Sequence, residues 1–317
     1  MASLPRAPGQ APFGQGEPKP PFWVEDLLGG VVGDPLPVSI ESAQASIRSV
    51  DGFSLTSVRI SGIEDMDILT FQQAVADAYR TVLEQLRTDH AVRFWAFIPR
   101  IHADYGQGLD RYMAFNAGRF AAFSTWLGGR DAFSRSMPTA SAVGSRGSDF
   151  VLYSLASRWP GQPVENPRQV PAYQYSRRFG PLPPCFARAT ILRRQPFEPD
   201  WLLVGGTASI VGEDSQHQDA VSLQLRETFR NLASLACAAV QNAGEPLPET
   251  DRDVAIWLAQ FREVRPYYRE PEHAVRVRDA VKDAFSTAEH IETFSAELCR
   301  RELLVEIEGV ARLPAKS

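Results

Sequence analysis

Cysteine and histidine are scarce in this chain, and each shortage closes off a class of function. The three cysteines, Cys185, Cys237 and Cys299, are far apart, odd in number and form no C-x-x-C. They exclude a disulfide framework and point to a reducing cytoplasm. The five histidines, His90, His102, His217, His273 and His290, make no H-E-x-x-H or H-x-x-x-H pair. With the cysteines so dispersed, no metal site is expected. No G-x-G-x-x-G and no phosphate-binding loop occur, so the sequence offers no nucleotide cofactor motif, and the expectation is none. No apolar run reaches membrane-spanning length. The net charge of −5 is small, which speaks against nucleic acid or an anionic membrane as partner.

Arginine, aromatic and small residues are plentiful by contrast. Apolar residues make up 44% and aromatics 10% of 317 residues, enough for one large domain or two ordinary ones. Met1 to Pro21 holds six prolines and no apolar h-region, so it reads as an extended arm rather than a secretory signal.

Periodicity outlines the rest. Ser54 to Ser61 alternates as a strand. Ile68, Phe71, Val75, Tyr79, Val82 and Leu86 share one face of a helix over Ile68 to Leu86. Val92 to Pro99 (VRFWAFIP) is an aromatic, proline-bounded strand. Asp110 to about Leu127 is helical, Met137 to Gly147 (MPTASAVGSRG) a small-residue loop permitting close backbone approach, and Ser148 to Ser157 a strand. The plan then recurs. Ala187 to Arg193 and Trp201 to Ile210 are strands, Ala220 to Val240 is a long helix, and Ala243-Gly244-Glu245-Pro246 ends it. Ile256 to Phe261 has a helical pattern, Val264 to Arg269 is a strand, Glu272 to Phe285 a helix, and Leu303 to Ile307 a closing strand. A strand pair, a helix and an aromatic strand thus occur twice. The expected fold is α+β in two related halves, with mixed sheets carrying helices on one face. The divisions are an arm over 1–40, an N-terminal domain over 41–163 and a C-terminal domain over 164–317.

The densest run of non-periodic chemistry is VENPRQVPAY (Val164 to Tyr173), followed by FARA (Phe186 to Ala189) and GGTASIVGEDSQHQD (Gly205 to Asp219). It gathers arginines, tyrosines and glycines, the residue types that grip a small carboxylate. Residue type alone leaves Arg119, Arg168, Arg188 and Arg269 open to ordinary salt bridging, and Tyr112, Tyr173 and Tyr175 open to core packing. Gly205, Gly206 and Thr207 fit either a strand bulge or a turn that presents backbone N–H groups to a ligand. Asp214 and Ser215, near His217 and Asp219, suit capping of the long helix. Alternation in LLVEIEGV puts Glu306 and Glu308 on one strand face, which fits a tolerated structural pair as well as a functional one. Cys299 fits a small buried apolar residue or a reactive thiol.

Several of these segments together carry a family resemblance. VENPRQVPAY, FARA, GTASI, RYMAFNAGR (Arg111 to Arg119) and CRRELLVEIEG (Cys299 to Gly309) resemble, in this order, the chorismatases, which split chorismate into pyruvate and a cyclic acid. The second half, with Gln224, Glu227, Thr228 and Asn231 on its long helix and Tyr267-Tyr268-Arg269 beyond, is similar to the RidA/YjgF (chorismate mutase-like) fold. The resemblance implies two RidA/YjgF-like halves, the first degraded, with chorismate as substrate and no cofactor. It implies Glu306 as general acid, Arg168 and Arg269 as carboxylate clamps, and Tyr112, Tyr173 and Tyr175 as hydroxyl donors. Arg119, Arg188, Gly206 and Thr207 would complete the binding set. In the family, cysteine at the Cys299 position and glycine at the Gly212 position mark the enzymes that make 3-hydroxybenzoate. The hydrolytic members, which give trans-3,4-dihydroxycyclohexa-1,5-diene carboxylate, carry an alanine-like residue instead of the cysteine. That diol, or a mixture of 3- and 4-hydroxybenzoate, is the alternative product. An imine deaminase of the RidA type, working through Arg269, and a non-catalytic metabolite sensor are the rival readings. A monomer is expected, since a fused pair replaces one interface of the trimers that RidA-like domains form, and a trimer is the alternative.

Overall fold

A computed structural model describes residues 17–193, 200–240 and 246–313. The chain enters through a short helix, α1 (Phe22–Leu28), and an edge strand, β1 (Asp34–Leu36), both within the stretch assigned to the arm. A hairpin, β2 (Ala43–Val50) and β3 (Phe53–Ile60), leads to α2 (Ile68–Glu84). The Asp67 side chain caps α2 by accepting from the Leu69 and Thr70 amides. Strand β4 (His90–Pro99) and the small ribbon β5 (Asp104–Gly106) and β6 (Leu109–Asp110) precede α3 (Arg111–Trp126). A single turn, α4 (Phe133–Ser136), then leads into β7 (Thr139–Ser145) and β8 (Phe150–Ser157).

Residues 139–145 are therefore strand and not the loop their composition suggests. Their small side chains serve close approach nonetheless. The Gly144 amide donates to the Glu297 carbonyl at 2.7 Å, and a Cβ on Gly205 would lie 2.8 Å from the Ala140 carbonyl oxygen. Contacts of this kind from the other half select the strand where local propensity does not.

The second half begins with β9 (Gly161–Val164), continues through the VENPRQ segment, and forms a sheet from β10 (Ala189–Leu192) and β11 (Trp201–Ala208). A tight hairpin of β12 (Ile210–Val211) and β13 (Asp214–Ser215) follows. Asp214 and Ser215 thus belong to that hairpin and do not cap the long helix, α5, which starts at Val221 and runs to Val240. The segment proposed to terminate it, Ala243 to Glu245, lies outside the described residues. Helix α6 (Asp251–Leu258) starts earlier than the apolar pattern indicates. Thr250 and Asp253 form a reciprocal capping box there, and β14 (Phe261–Tyr268) takes over at Phe261. Helix α7 (Ala274–Ala284), the short strands β15 (His290–Ile291) and β16 (Phe294–Ser295), and β17 (Val305–Arg312) complete the chain.

The two sheets have the same plan. In the first, the order β2-β3-β8-β4-β7 is antiparallel except for the parallel pair β4 and β7. In the second, β10-β11-β17-β14 is antiparallel, and β15 and β16 lie parallel to β14 in the position of β7. Helices α2 and α3 cover one face of the first sheet, and α5 and α7 one face of the second. The chain is thus an α+β protein of two like halves.

The uncovered faces turn toward each other. Phe53, Leu55, Trp95, Phe97 and Leu155 of the first sheet meet Leu192, Trp201, Leu203, Tyr267 and Val310 of the second in one buried cluster, with Val24 and Leu28 of α1 at its margin. Alternation sorts β17 accordingly. Val305 and Ile307 pack under the helices, which sends Glu306 and Glu308 into the layer between the sheets.

Close helix packing is fixed by Gly118 of α3. A Cβ there would sit 2.4 Å from the Gln72 carbonyl oxygen and 2.9 Å from the Val75 Cβ of α2. Gly118→Ala is expected to lower stability by about 1–3 kcal/mol, read as a drop in melting temperature. An unchanged transition would show that α2 and α3 part freely.

Candidate active site

One end of the layer between the sheets opens into a cavity of about 250 Å³. Its wall is drawn from both halves. The first contributes His102, Asp110, Tyr112, Met113 and Arg119, together with Ala140, Ser141 and Ala142 of β7. The second contributes Tyr175, Arg178, Phe179, Phe186, Arg188, Gly206, Ala208 and the run Cys299 to Glu302, with Glu306 among the lining residues. Five arginines (Arg119, Arg178, Arg188, Arg300, Arg301) face three carboxyl groups (Asp110, Glu302, Glu306), which makes the space a receptor for an anion.

Glu306 is 4% exposed on the central strand of its sheet. Its seat depends on the bulge in β11 between Val204 and Thr207. A Cβ on Gly206 would lie 1.8 Å from Glu306 Oε1, so the carboxyl occupies the room that this glycine leaves. Both glycine amides of the bulge are already used, Gly205 on the Arg188 carbonyl and Gly206 on Ser141 Oγ at 2.8 Å. Gly206 therefore houses the acid and does not present its N–H to a ligand. Desolvation first, and the charge of Glu308 second, push Glu306 up to about 8, against the pull of Arg93 and Arg188.

Glu308, two residues on, is held by four side chains. Arg93 Nη2 donates to it at 2.6 Å, Trp95 Nε1 and the Tyr267 hydroxyl each at 3.0 Å, and the Ser141 hydroxyl donates as well. Cys299 is half-buried, and its thiol is pushed up to about 12 by desolvation and then by the Glu306 charge, so it stays protonated at neutral pH. Burial likewise raises the Tyr112 phenol.

Arg188 is 4% and Arg119 1% exposed. Arg188 Nη2 donates to the Tyr175 hydroxyl at 2.6 Å and Arg119 Nη2 to Asn116 Oδ1 at 2.8 Å. Among the described residues the Nε atoms of both have no hydrogen-bond partner, although both are buried. Such donors are costly unless a ligand meets them. Arg300 lies 3.9 Å above the Phe179 ring and donates to the Glu213 carbonyl, which fixes the cavity rim.

The structure thus gathers Glu306, Cys299, Tyr112, Arg119, Tyr175, Arg188 and Gly206 around one space. It places five other candidates away from the lining. Arg168 is occupied by Glu227 at 2.6 Å and Asn231 at 2.9 Å and fastens the VENPRQ segment to α5. Arg269 pairs with Glu270 at 2.7 Å. Tyr173 sits in the first-half core with its ring against Phe133. The Thr207 hydroxyl donates to the Gly205 carbonyl and stabilises the bulge. Gly212 has φ +61° and exchanges backbone hydrogen bonds with Arg168 and Val170.

Sequence reasoning left Glu308 undecided between a tolerated and a functional carboxyl, and passed over Arg300, Arg178 and Glu165. The last is a half-buried carboxyl in VENPRQV, raised to about 7 by desolvation. Arg300 stood beside Cys299 in a quoted motif, and Glu308 beside Glu306. Only their long-range partners distinguish them.

Comparison with known proteins places this architecture. The family model described as chorismatase FkbO/Hyg5-like, N-terminal, matches residues 38–156. A 3-hydroxybenzoate synthase from Streptomyces hygroscopicus is 35% identical over 246 residues, which is 76% of this chain and 69% of the relative. A chorismatase from Streptomyces rapamycinicus is 32% identical over 220 residues, 69% of this chain and 63% of that protein. A chorismatase crystal structure superposes with a TM-score of 0.70 at 26% identity, covering 87% of this chain and 80% of the other. The chain belongs to the chorismatase family.

The Glu306 carboxyl also has a consequence for stability. Between its ordinary value of 4.5 and about 8 the folded chain holds a proton that the unfolded chain has released, so stability falls as pH rises through that window. Glu306→Gln, which carries no charge, should melt higher than the parent at about pH 8.5, by the equivalent of a few kcal/mol, and the gap should close toward about pH 5. A gap independent of pH would mean that Glu306 titrates as an ordinary exposed glutamate.

Proposed function

We propose that this protein converts chorismate to 3-hydroxybenzoate and pyruvate, with Glu306 as the proton donor. The observation that carries the reading is a buried carboxyl that holds its proton to about pH 8 and faces a cavity lined by arginines. A carboxylic acid of that strength can protonate carbon at neutral pH. Buried arginines with free donors suit a substrate bearing two carboxylates.

Chemically, Glu306 gives its proton to the terminal methylene of the enolpyruvyl ether, which becomes a methyl group. The adjacent carbon is then an oxocarbenium centre. The bond between ring C3 and the ether oxygen breaks, its electrons stay on oxygen, and pyruvate leaves as the ketone. The neighbouring C4 hydroxyl captures C3 within the ring, and its proton returns to the Glu306 carboxylate. The resulting arene-oxide-like species opens at its C4–O bond, keeping oxygen on C3, and a hydrogen shift restores the aromatic ring. Atoms balance without water, since chorismate is the sum of the two products.

In this reading Arg119, Arg188 and Arg300 bind the carboxylates, and Tyr112 and Tyr175 orient the ring hydroxyl. Cys299 supports the internal route because its neutral thiol fills space beside Glu306 and offers no charge to a water nucleophile. Two relatives lend weight in different degrees, one named a 3-hydroxybenzoate synthase and one a chorismatase.

Incubating the protein with chorismate should release pyruvate and 3-hydroxybenzoate in equal amounts, measured by coupled reduction and by chromatography with mass detection. Glu306→Gln should lower that rate by at least about 10³-fold with the fold kept. Normal turnover by this variant would remove Glu306 from the role. In Cys299→Ala the trans-diol should become a major product. A diol from the parent protein would overturn the product assignment, and no pyruvate at all would overturn the enzyme reading.

A further inference from the structure

The proton donor is assembled by both halves of the chain, although it belongs to only one. Glu306 and Glu308 project from the same face of β17 into the layer between the sheets. Two like carboxyls so placed repel when both are ionised, so the charge settles on the one that donors hold fixed and the other keeps its proton. Glu308 is the fixed one. Arg93 and Trp95 come to it from β4 and Ser141 from β7, all in the first half, and Tyr267 comes from β14. At 2% exposure the pair of Glu308 and Arg93 is sealed from solvent. Ser141 has a second task. Its hydroxyl oxygen accepts the Gly206 amide at 2.8 Å, and Gly206 is the residue over which the Glu306 carboxyl lies. A continuous path therefore runs from Arg93 through Glu308 and Ser141 to the floor of the Glu306 seat.

Resting on the reading of Glu306 as proton donor, we infer that Glu308 is its positioning residue. It keeps a stationary negative charge behind Glu306 and, through Ser141 and the Gly206 amide, holds the seat in which that carboxyl lies. Glu308 itself does not line the cavity, whereas Ser141 and Gly206, which it helps to hold, do. The arrangement loads the acid, because a carboxyl facing a locked anion keeps its proton. The other groups that act on Glu306 are Arg93 of β4 and Arg188 ahead of β10, which both work against the proton. The Tyr112 phenol of α3 and the Cys299 thiol are also within its electrostatic reach. On the far side, Arg265 and Tyr267 of β14 feel the Glu308 charge.

The test follows the Glu306 proton directly and needs no substrate. The infrared band of its protonated carboxyl, assigned by its absence in Glu306→Gln, is recorded in the full-length protein from about pH 5 to about pH 10. The parent should titrate near 8. Glu308→Gln should titrate at least about one unit lower. Because that variant leaves Arg93 unpaired, Glu308→Gln/Arg93→Met is measured alongside it as a neutral pair. It too should titrate below the parent, since Glu308 acts on Glu306 more strongly than Arg93 does. An unchanged midpoint in the double variant would overturn the inference, whether or not the single variant folds. Pyruvate release from chorismate forms the second arm. Its alkaline limb should move down with the carboxyl midpoint, by about tenfold in rate per unit at high pH, while a uniform loss at every pH would mark a merely structural role. Should the band shift as expected while the parent releases no pyruvate, the proposed function fails and the electrostatic inference stands.

Discussion

The buried contact between Glu308 and Arg93 is the interaction on which the rest of this molecule depends. It joins the central strand of the second sheet to β4 of the first across the layer between them. Burying both charges is expensive, and the cost is offset only because Trp95, Ser141 and Tyr267 complete the shell around the carboxylate. A fold of two like halves gains something specific here. The two halves share strand order and helix placement, yet the carboxyls come from one and the donors largely from the other. The like halves have unlike duties, and the cavity exists where the duties meet.

Much of the fold was legible in the sequence, and the reason lies in periodicity. The stripe from Ile68 to Leu86 and the run from Val221 to Ala239 each bury one face, so their spacing records the packing directly. The segment Thr139 to Ser145 was not legible. Its alanines, serines and glycine have no strand signature, and it is a strand because neighbouring backbone lies close to it. The start of α6 was hidden for another reason, since a capping box and not an apolar period sets it.

The site divides along the same line. Glu306, Cys299 and Arg188 carry chemistry in their residue types and stand in distinctive runs. What separates Arg188 from Arg168 is invisible locally. Each is an arginine in a proline- or glycine-rich neighbourhood, but Glu227 and Asn231, some sixty positions along, claim Arg168. Gly206 shows a subtler limit. A glycine there was foreseeable, yet its use, making room for a carboxyl about a hundred residues away, is a fact of tertiary placement.

The N-terminal approach to the fold is gripped by its main chain. Arg265 donates to the carbonyls of Lys19 and Pro20 at 2.9 Å each, and the Tyr153 hydroxyl donates to the Pro18 carbonyl at 3.0 Å. Carbonyl oxygens are common to every amino acid, so the receiver reads the course of this segment with little regard to its spelling. Lys19 adds a side-chain contact, its Nζ lying 2.9 Å from Glu292, the carboxylate that also accepts from Arg265. One carboxylate thus ties the lysine of this segment to the arginine that grips its backbone, so the clasp closes on Glu292 from both ends.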